Sequence, residues 1–142
     1  MRRSRFHTAL AAVALAVAVP LAGCGSDTAT STTTTSAAGA PRLVGVAAFA
    51  KRVADPSVTT VNVHIPNEGD IAGTDLDIPY DRIGASTELP TDRHTPLAIY
   101  CRSGNMSAIA VRTLHSMGYT DVVELKGGYD AWLAAGRTIG TA

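Results

Sequence analysis

The feature that most constrains the fold of this chain is a run of four apolar residues, LAIY, at positions 97–100. A strand covered on one face alternates apolar and polar residues, whereas a strand buried on both faces of a parallel sheet is apolar throughout. The residues that follow have a helical period that places on one face Met106, Ile109, Ala110, Leu114 and Met117. We expect Ser107 to cap the start of this helix and Gly118 to end it. The region therefore predicts a buried strand followed by an amphipathic helix.

The same alternation of strands and helices extends over the globular part of the chain, residues 42–139. Apolar residues with a helical period at 44–55 predict a helix that ends before Pro56, and β-branched residues at 58–65 predict a strand. Residues 66–80, rich in Pro and Gly, predict a long loop with a brief strand at LDI (76–78), and a short helix is expected near 81–85. Residues 121–125 predict a strand and residues 129–135 a final helix. The fold class is therefore α/β, with a parallel sheet covered by helices on both faces.

Charge and cysteine content exclude several classes of partner and site. Twelve Lys and Arg balance twelve Asp and Glu, so no basic surface is available to attract nucleic acid. Two cysteines, Cys24 and Cys101, are too few for a disulfide framework or a four-cysteine zinc site. We expect no cofactor and no metal. Three histidines lie on different predicted elements without metal-ligand spacing: His64, His94 and His115. A solvated loop, and not a calcium site, is expected from Asp70, Asp75, Asp77 and Asp81.

Residues 1–23 have the organisation of an export signal. A cationic head precedes an apolar stretch of 16 residues, shorter than the roughly 20 residues of a spanning helix. The sequence Leu21-Ala22-Gly23-Cys24 resembles the lipobox of bacterial lipoproteins. The resemblance implies cleavage before Cys24, lipidation of Cys24 with acyl chains such as palmitate, and anchoring on the extracytoplasmic face of the cell membrane. Residues 24–41 are expected to form a disordered, Ser/Thr-rich tether. A retained membrane helix and secretion without lipidation are the alternatives.

Cys101 stands where the predicted strand 97–100 meets a helix, at the edge of the sheet where α/β proteins bind ligands. Unsatisfied backbone N–H groups at a helix N-terminus stabilise an anion, so this position favours a thiolate. The following amides can curl around the sulfur, Gly104 permits unusual backbone geometry, and Arg102 adds positive charge. A buried structural cysteine is the alternative. If Cys24 is lipidated, Cys101 is the only thiol, which suits chemistry on one sulfur and excludes two-cysteine redox exchange.

Three motifs within residues 42–139 resemble a single-domain rhodanese, a sulfurtransferase module. They are Ile-Tyr-Cys-Arg-Ser-Gly-Asn at 99–105, Lys-Gly-Gly-Tyr-Asp-Ala-Trp at 126–132 after a strand, and Ala-Gly at 135–136. The resemblance implies a five-stranded parallel sheet flanked by helices, with Cys101 as the catalytic nucleophile. It assigns substrate binding to the rest of a six-residue loop: Arg102, Ser103, Gly104, Asn105 and Met106.

The implied mechanism is a double displacement. The Cys101 thiolate takes a sulfane sulfur from a small donor, such as thiosulfate or a persulfide, and the resulting persulfide passes it to a thiol or cyanide-like acceptor. The loop amides act as an anion hole, and no separate base is needed if the thiol is already ionised. We therefore expect a monomeric, membrane-anchored sulfurtransferase that works outside the cytoplasm.

Three positions depart from the family pattern. The strand motif that usually reads Asp-Val-Arg is Asn62-Val63-His64, Asp70 replaces the usual His of a Gly-His-Ile segment, and Met106 stands where Arg is common. The loss of fixed positive charge weakens the expected binding of dianionic thiosulfate. These departures leave open a second function, a non-catalytic binding module for a partner protein or a sulfur species. The phosphatase chemistry of Cys-x5-Arg loops is not expected, because the Arg position holds a serine.

Overall fold

The computed structural model describes residues 41–142. The predicted signal peptide, Cys24 and all but the last residue of the predicted tether lie outside these residues. The described part contains seven strands, three α-helices and one 3-10 helix. In chain order they are β1 (Arg42–Val44), α1 (Val46–Val53), β2 (Thr59–Asn62), β3 (Asp70–Ile71), β4 (Leu76–Asp77), the 3-10 helix (Ile83–Ala85), β5 (Leu97–Tyr100), α2 (Asn105–Ser116), β6 (Val122–Leu125), α3 (Gly128–Ala134) and β7 (Ile139–Gly140).

Five of the strands form one parallel sheet in the order β1-β6-β5-β2-β4. The central strand β5 coincides with the LAIY run and all four of its residues are buried. It pairs with β2 on one side and β6 on the other, with Thr59 opposite Leu97 and Leu97 opposite Val122. The predicted α/β class and the five-stranded parallel sheet are therefore confirmed.

Two apolar clusters, one on each face of the sheet, form the core. The first joins α2 and the 3-10 helix to inward residues of β2 and β5, such as Val61 and Ile99. The second joins α1 and α3 to the opposite face of β5 and β6, through Phe49 and Trp132 among others. The Phe49 and Trp132 rings meet edge to face, with centroids 6.5 Å apart. Helices thus cover both faces of the sheet, which agrees with a central strand, β5, that is apolar on both sides.

The start of α2 differs from the prediction. The helix begins at Asn105, and its N-cap is Gly104, whose φ of +100° lies in the left-handed region that favours glycine. Ser107 is therefore in the first turn and fully buried, so the prediction that it caps the helix is wrong. The buried face includes Val111 and leaves Ile109 exposed, contrary to the predicted face.

Two short strands outside the main sheet were not expected from the sequence. β3 and β7 pair antiparallel, with Asp70 opposite Gly140 and Ile71 opposite Ile139. They bring residues near the end of the chain against the long loop after β2. Within residues 41–142 none of the helices has the length and apolar character needed to cross a bilayer.

Candidate functional site

Cys101 follows β5 directly and lies against the start of α2. Its side chain is only 1% exposed and belongs to the apolar cluster on the α2 face. Two hydrogen bonds reach its sulfur: the Gly104 N–H donates to Sγ over 3.1 Å, and Sγ donates to Ser107 Oγ over 3.4 Å. The sulfur is therefore buried, with one loop amide aimed at it.

The loop at 101–104 is held from behind by the start of α3. The Tyr129 N–H donates to the Cys101 carbonyl over 2.9 Å, and the Asp130 N–H donates to the Arg102 carbonyl over 3.0 Å. Gly128 makes this approach possible, because a Cβ atom there would collide with both carbonyl oxygens. The Gly-Gly of the second motif therefore allows the helix N-terminus to bind the loop that carries the cysteine.

The other predicted binding residues of the loop differ in their surroundings. Arg102 is exposed, and its guanidinium pairs with Glu68 at 3.1 Å and lies 3.6 Å from Asp130. Ser103 and Asn105 are exposed, and Gly104 is half-buried. Met106 is half-buried against the apolar cluster under α2. Asn105 and Met106 belong to the helix, so the non-helical part of the predicted six-residue loop is 101–104.

Glu68 joins Arg102 to a group of aromatic side chains. The Tyr129 hydroxyl donates to Glu68 Oε2, and His64 Nε2 lies 3.5 Å from the same oxygen. The Tyr129 hydrogen bond lowers the pKa of Glu68, which the Arg102 charge lowers further against the opposing effect of desolvation. Burial, together with Glu68, raises the pKa of Tyr129. The positive charge of Arg102 is thus balanced by acidic neighbours.

The unusual residues at 62, 64 and 70 form a polar network at the end of β2. Asn62 Nδ2 donates to Asp70 Oδ1 over 2.9 Å, and the His64 N–H donates to Asn62 Oδ1 over 3.0 Å. The Tyr100 hydroxyl also donates to Asp70, over 3.2 Å. Asp70 is therefore half-buried and hydrogen-bonded, which corrects the expectation that it belongs to a solvated loop. His64 is buried at the strand end, and its Nδ1 has no partner among the described residues.

Glu124 is a site residue that sequence reasoning missed. It lies on β6, is 3% exposed, and accepts a 2.7 Å hydrogen bond from Ser107 Oγ at its Oε1. Burial raises the pKa of Glu124, while the Ser107 hydrogen bond and the Arg112 charge oppose that rise. A signal was present in the sequence, since a glutamate inside the otherwise apolar run VVEL must be buried if the strand is covered on both faces.

A model of the rhodanese-like domain matches residues 60–135. The adenylyltransferase and sulfurtransferase uba4 of Ogataea parapolymorpha is 33% identical over 70 residues, which are 49% of this chain and 16% of that protein. The uncharacterized protein YqhL of Bacillus subtilis is 34% identical over 76 residues, which are 51% of this chain and 58% of that protein. The chain therefore spans less than two thirds of the length of either relative.

Solved structures resemble the fold over a larger share of the chain. A rhodanese-related protein from Thermoplasma volcanium is 27% identical, with a TM-score of 0.58 over 69% of this chain and 96% of that one. The rhodanese-like domain of an Anabaena protein is 26% identical, with a TM-score of 0.57 over 70% of this chain and 79% of that one. These similarities, together with the domain match, confirm the resemblance seen in the sequence. The chain belongs to the rhodanese-like domain family, which includes sulfurtransferases.

Proposed function

We propose that the chain is a sulfurtransferase that carries a sulfane sulfur as a persulfide on Cys101. The observation that carries the proposal is the 3.1 Å hydrogen bond from the Gly104 N–H to Cys101 Sγ, at the N-terminus of α2. An amide aimed at the sulfur stabilises negative charge on the thiolate and, after transfer, on the persulfide. Membership of a family with sulfurtransferase members supports the same chemistry.

In the proposed reaction the Cys101 sulfur attacks the outer sulfur of the donor. A bond forms between Sγ and that sulfur, and the bond between the outer sulfur and the rest of the donor breaks. With thiosulfate the electron pair leaves on sulfite. A thiol or cyanide acceptor then forms a bond to the terminal sulfur, and the electron pair of the broken S–S bond returns to Sγ. Cys101 is 1% exposed, so entry of the donor requires the residues that cover its sulfur to move.

The surroundings of the loop favour a donor of low charge. Arg102 is balanced by Glu68 and Asp130, and Met106 contributes an apolar side chain. A dianion such as thiosulfate therefore meets little uncompensated positive charge, whereas an organic persulfide, which carries a single negative charge, needs less. We expect Cys101 to be loaded faster by an organic persulfide than by thiosulfate at equal concentration.

The experiment is mass analysis of the full chain carrying Cys24→Ser, in which Cys101 is the single cysteine. After incubation with thiosulfate or polysulfide, the expected product carries one additional sulfur atom on the Cys101 peptide, and cyanide removes it. The matched control is Cys101→Ser, which should gain nothing. An unmodified Cys101 with every donor would contradict sulfur transfer.

The second candidate is a non-catalytic binding module. It is favoured by the 1% exposure of Cys101 and by the pairing of Arg102 with acidic residues, since both reduce access to the sulfur by an anion. In that case the same mass experiment leaves Cys101 unmodified.

The proposal extends to the site of action. Residues 1–23 direct export, Cys24 is lipidated, and the tether at 24–41 holds a monomeric domain of residues 42–139 on the extracytoplasmic face of the membrane. Support comes from the lipobox-like sequence at 21–24. Labelled palmitate should be incorporated into the wild-type chain and not into Cys24→Ser, and the variant should move from the membrane fraction to the soluble fraction. Equal membrane association of both chains would contradict the anchor.

A further inference from the structure

Ser107 lies between the cysteine and the buried glutamate and contacts both. Cys101 Sγ donates to Ser107 Oγ over 3.4 Å, and Ser107 Oγ donates to Glu124 Oε1 over 2.7 Å. The three residues come from the β5–α2 loop, the first turn of α2 and the middle of β6. Their exposed fractions are 1%, 0% and 3%. A continuous line of hydrogen bonds therefore joins the thiol to a carboxylate inside the protein.

The direction of these bonds follows from the number of protons available. Ser107 has one hydroxyl proton and two acceptors within reach, Glu124 Oε1 at 2.7 Å and the Gly104 carbonyl at 3.0 Å. The Glu124 carboxylate accepts the hydrogen bond from this hydroxyl, because hydrogen bonds to an ionised acceptor are shorter and stronger. The lone pairs of the hydroxyl then face the thiol. The hydrogen bonds therefore run in one direction, from the Cys101 thiol to Ser107 and from Ser107 to the Glu124 carboxylate.

Few charged groups among the described residues surround this line of hydrogen bonds. Arg112, from α2, is the cation that acts on Glu124, and the Cys101 thiol is the other titratable group facing it. The residues opposite Glu124 on the neighbouring strands are Leu43 and Ile99, both uncharged. A second negative charge at this depth is costly, because like charges in a buried site oppose each other's ionisation.

We propose that Glu124 is a positioning residue that receives the proton of Cys101 through Ser107, so that the protein's own groups in the buried site, Glu124 and the Cys101 sulfur or persulfide, carry one negative charge between them before loading, after loading and after discharge. The proposal rests on the proposed sulfur transfer. On loading, Sγ gives up its proton to Ser107 Oγ while the serine proton moves to Glu124, and the freed Sγ electron pair forms the new S–S bond. The donor's own S–S bond breaks toward its leaving group. The negative charge has then moved from Glu124 to the persulfide.

Discharge reverses the proton path. The acceptor takes the terminal sulfur, Sγ keeps the electron pair of the broken S–S bond, and the proton returns from Glu124 through Ser107. No further oxidant, reductant or base is required. The raised pKa of Glu124 agrees with this role, because a carboxyl group that ionises reluctantly accepts a proton from a neighbouring acid more readily.

The test is the pH dependence of Cys101 alkylation by iodoacetamide, measured in the full chain with Cys24→Ser. It needs no sulfur transfer, so it separates this proposal from the proposed function. Glu124→Gln retains an oxygen acceptor for Ser107 but loses the negative charge. We expect its alkylation midpoint to fall by about one pH unit relative to the parent chain. The exposed Glu88→Gln is the matched control and should leave the midpoint unchanged.

If Glu124 only holds Ser107 in place, Glu124→Gln has the midpoint of the parent chain, and the proposal is overturned. A second measurement needs no Glu124 variant: infrared difference spectra of the parent chain before and after treatment with polysulfide. A carboxylic acid band should appear together with the Cys101 persulfide and disappear on discharge by cyanide. Persulfide formation without that band overturns the proposal. Absence of the persulfide overturns sulfur transfer instead, and the alkylation midpoints then decide whether Glu124 and Cys101 are coupled.

Discussion

Replacement of Gly128 by alanine tests how α3 holds the cysteine loop. Gly128 has a φ of +59°, and an added Cβ atom would collide with the carbonyl oxygens of Cys101 and Arg102. The left-handed conformation alone costs a non-glycine residue roughly 1–2 kcal/mol. Overpacking against fixed neighbours adds about 1–3 kcal/mol. We therefore expect Gly128→Ala to lower the free energy of unfolding by about 2–5 kcal/mol.

Gly136→Ala is the matched control at the other end of the same helix. Gly136 has a φ of +75°, but a Cβ atom there would meet nothing within 4 Å. This variant should lose only the conformational part, roughly 1–2 kcal/mol. Urea denaturation followed by tryptophan fluorescence measures both, because the single tryptophan, Trp132, lies in α3. Equal losses for the two variants would refute the claim that close contact with the loop carbonyls is what requires glycine at 128.

Three further changes test other contacts. Burial raises the folded-state pKa of Glu124, so the stability contributed by its protonated form is full below the unfolded pKa and is lost as pH rises through the folded value. Urea unfolding from about pH 4 to about pH 8 should therefore show Glu124→Gln gaining stability relative to wild type as the pH rises. A difference in unfolding free energy that stays constant with pH would contradict this. Tyr129→Phe should raise the pKa of Glu68 toward its ordinary value, measured by NMR titration of its carboxyl carbon; an unchanged pKa would mean that the hydrogen bond is not its main cause. Trp132→Ala should cost about 3–5 kcal/mol in urea unfolding followed by circular dichroism, because it empties a site 95% covered between Phe49 and Arg137. A cost under about 1 kcal/mol would show that the site collapses freely.

The sequence predicted those elements of the fold in which the pattern of apolar and polar residues reflects which faces are buried. The run at 97–100 is apolar at every position because both faces of β5 are covered, and its strand has the predicted bounds. β3 and β7 could not be predicted in this way. Each has two residues, too few to show an alternation of apolar and polar side chains. Their pairing joins Asp70 to Gly140, two residues far apart in the sequence. The three-residue edge strand β1 is largely exposed and carries no apolar pattern either.

The candidate site divides in the same manner. The position of Cys101 between β5 and α2 could be read locally, because a strand, a Gly-containing loop and a helix follow one another in the chain. The contact between Ser107 and Glu124 depends on how α2 lies over β6, 17 residues further along. The balancing of Arg102 by Glu68 depends on a loop 34 residues earlier. Such partners are set by tertiary packing, and no local pattern names them.

The edge strand β1 determines how the domain responds to mechanical load. Among residues 41–142, Arg42–Val44 pair on one side only, with β6, and the Lys126 N–H extends that ladder to the Val44 carbonyl over 2.9 Å. Tension applied through the residues that precede β1 therefore enters the sheet at its outermost ladder. That ladder includes Leu43 opposite Glu124, so a pull strong enough to peel β1 away would uncover the backbone of the strand that carries the buried carboxylate.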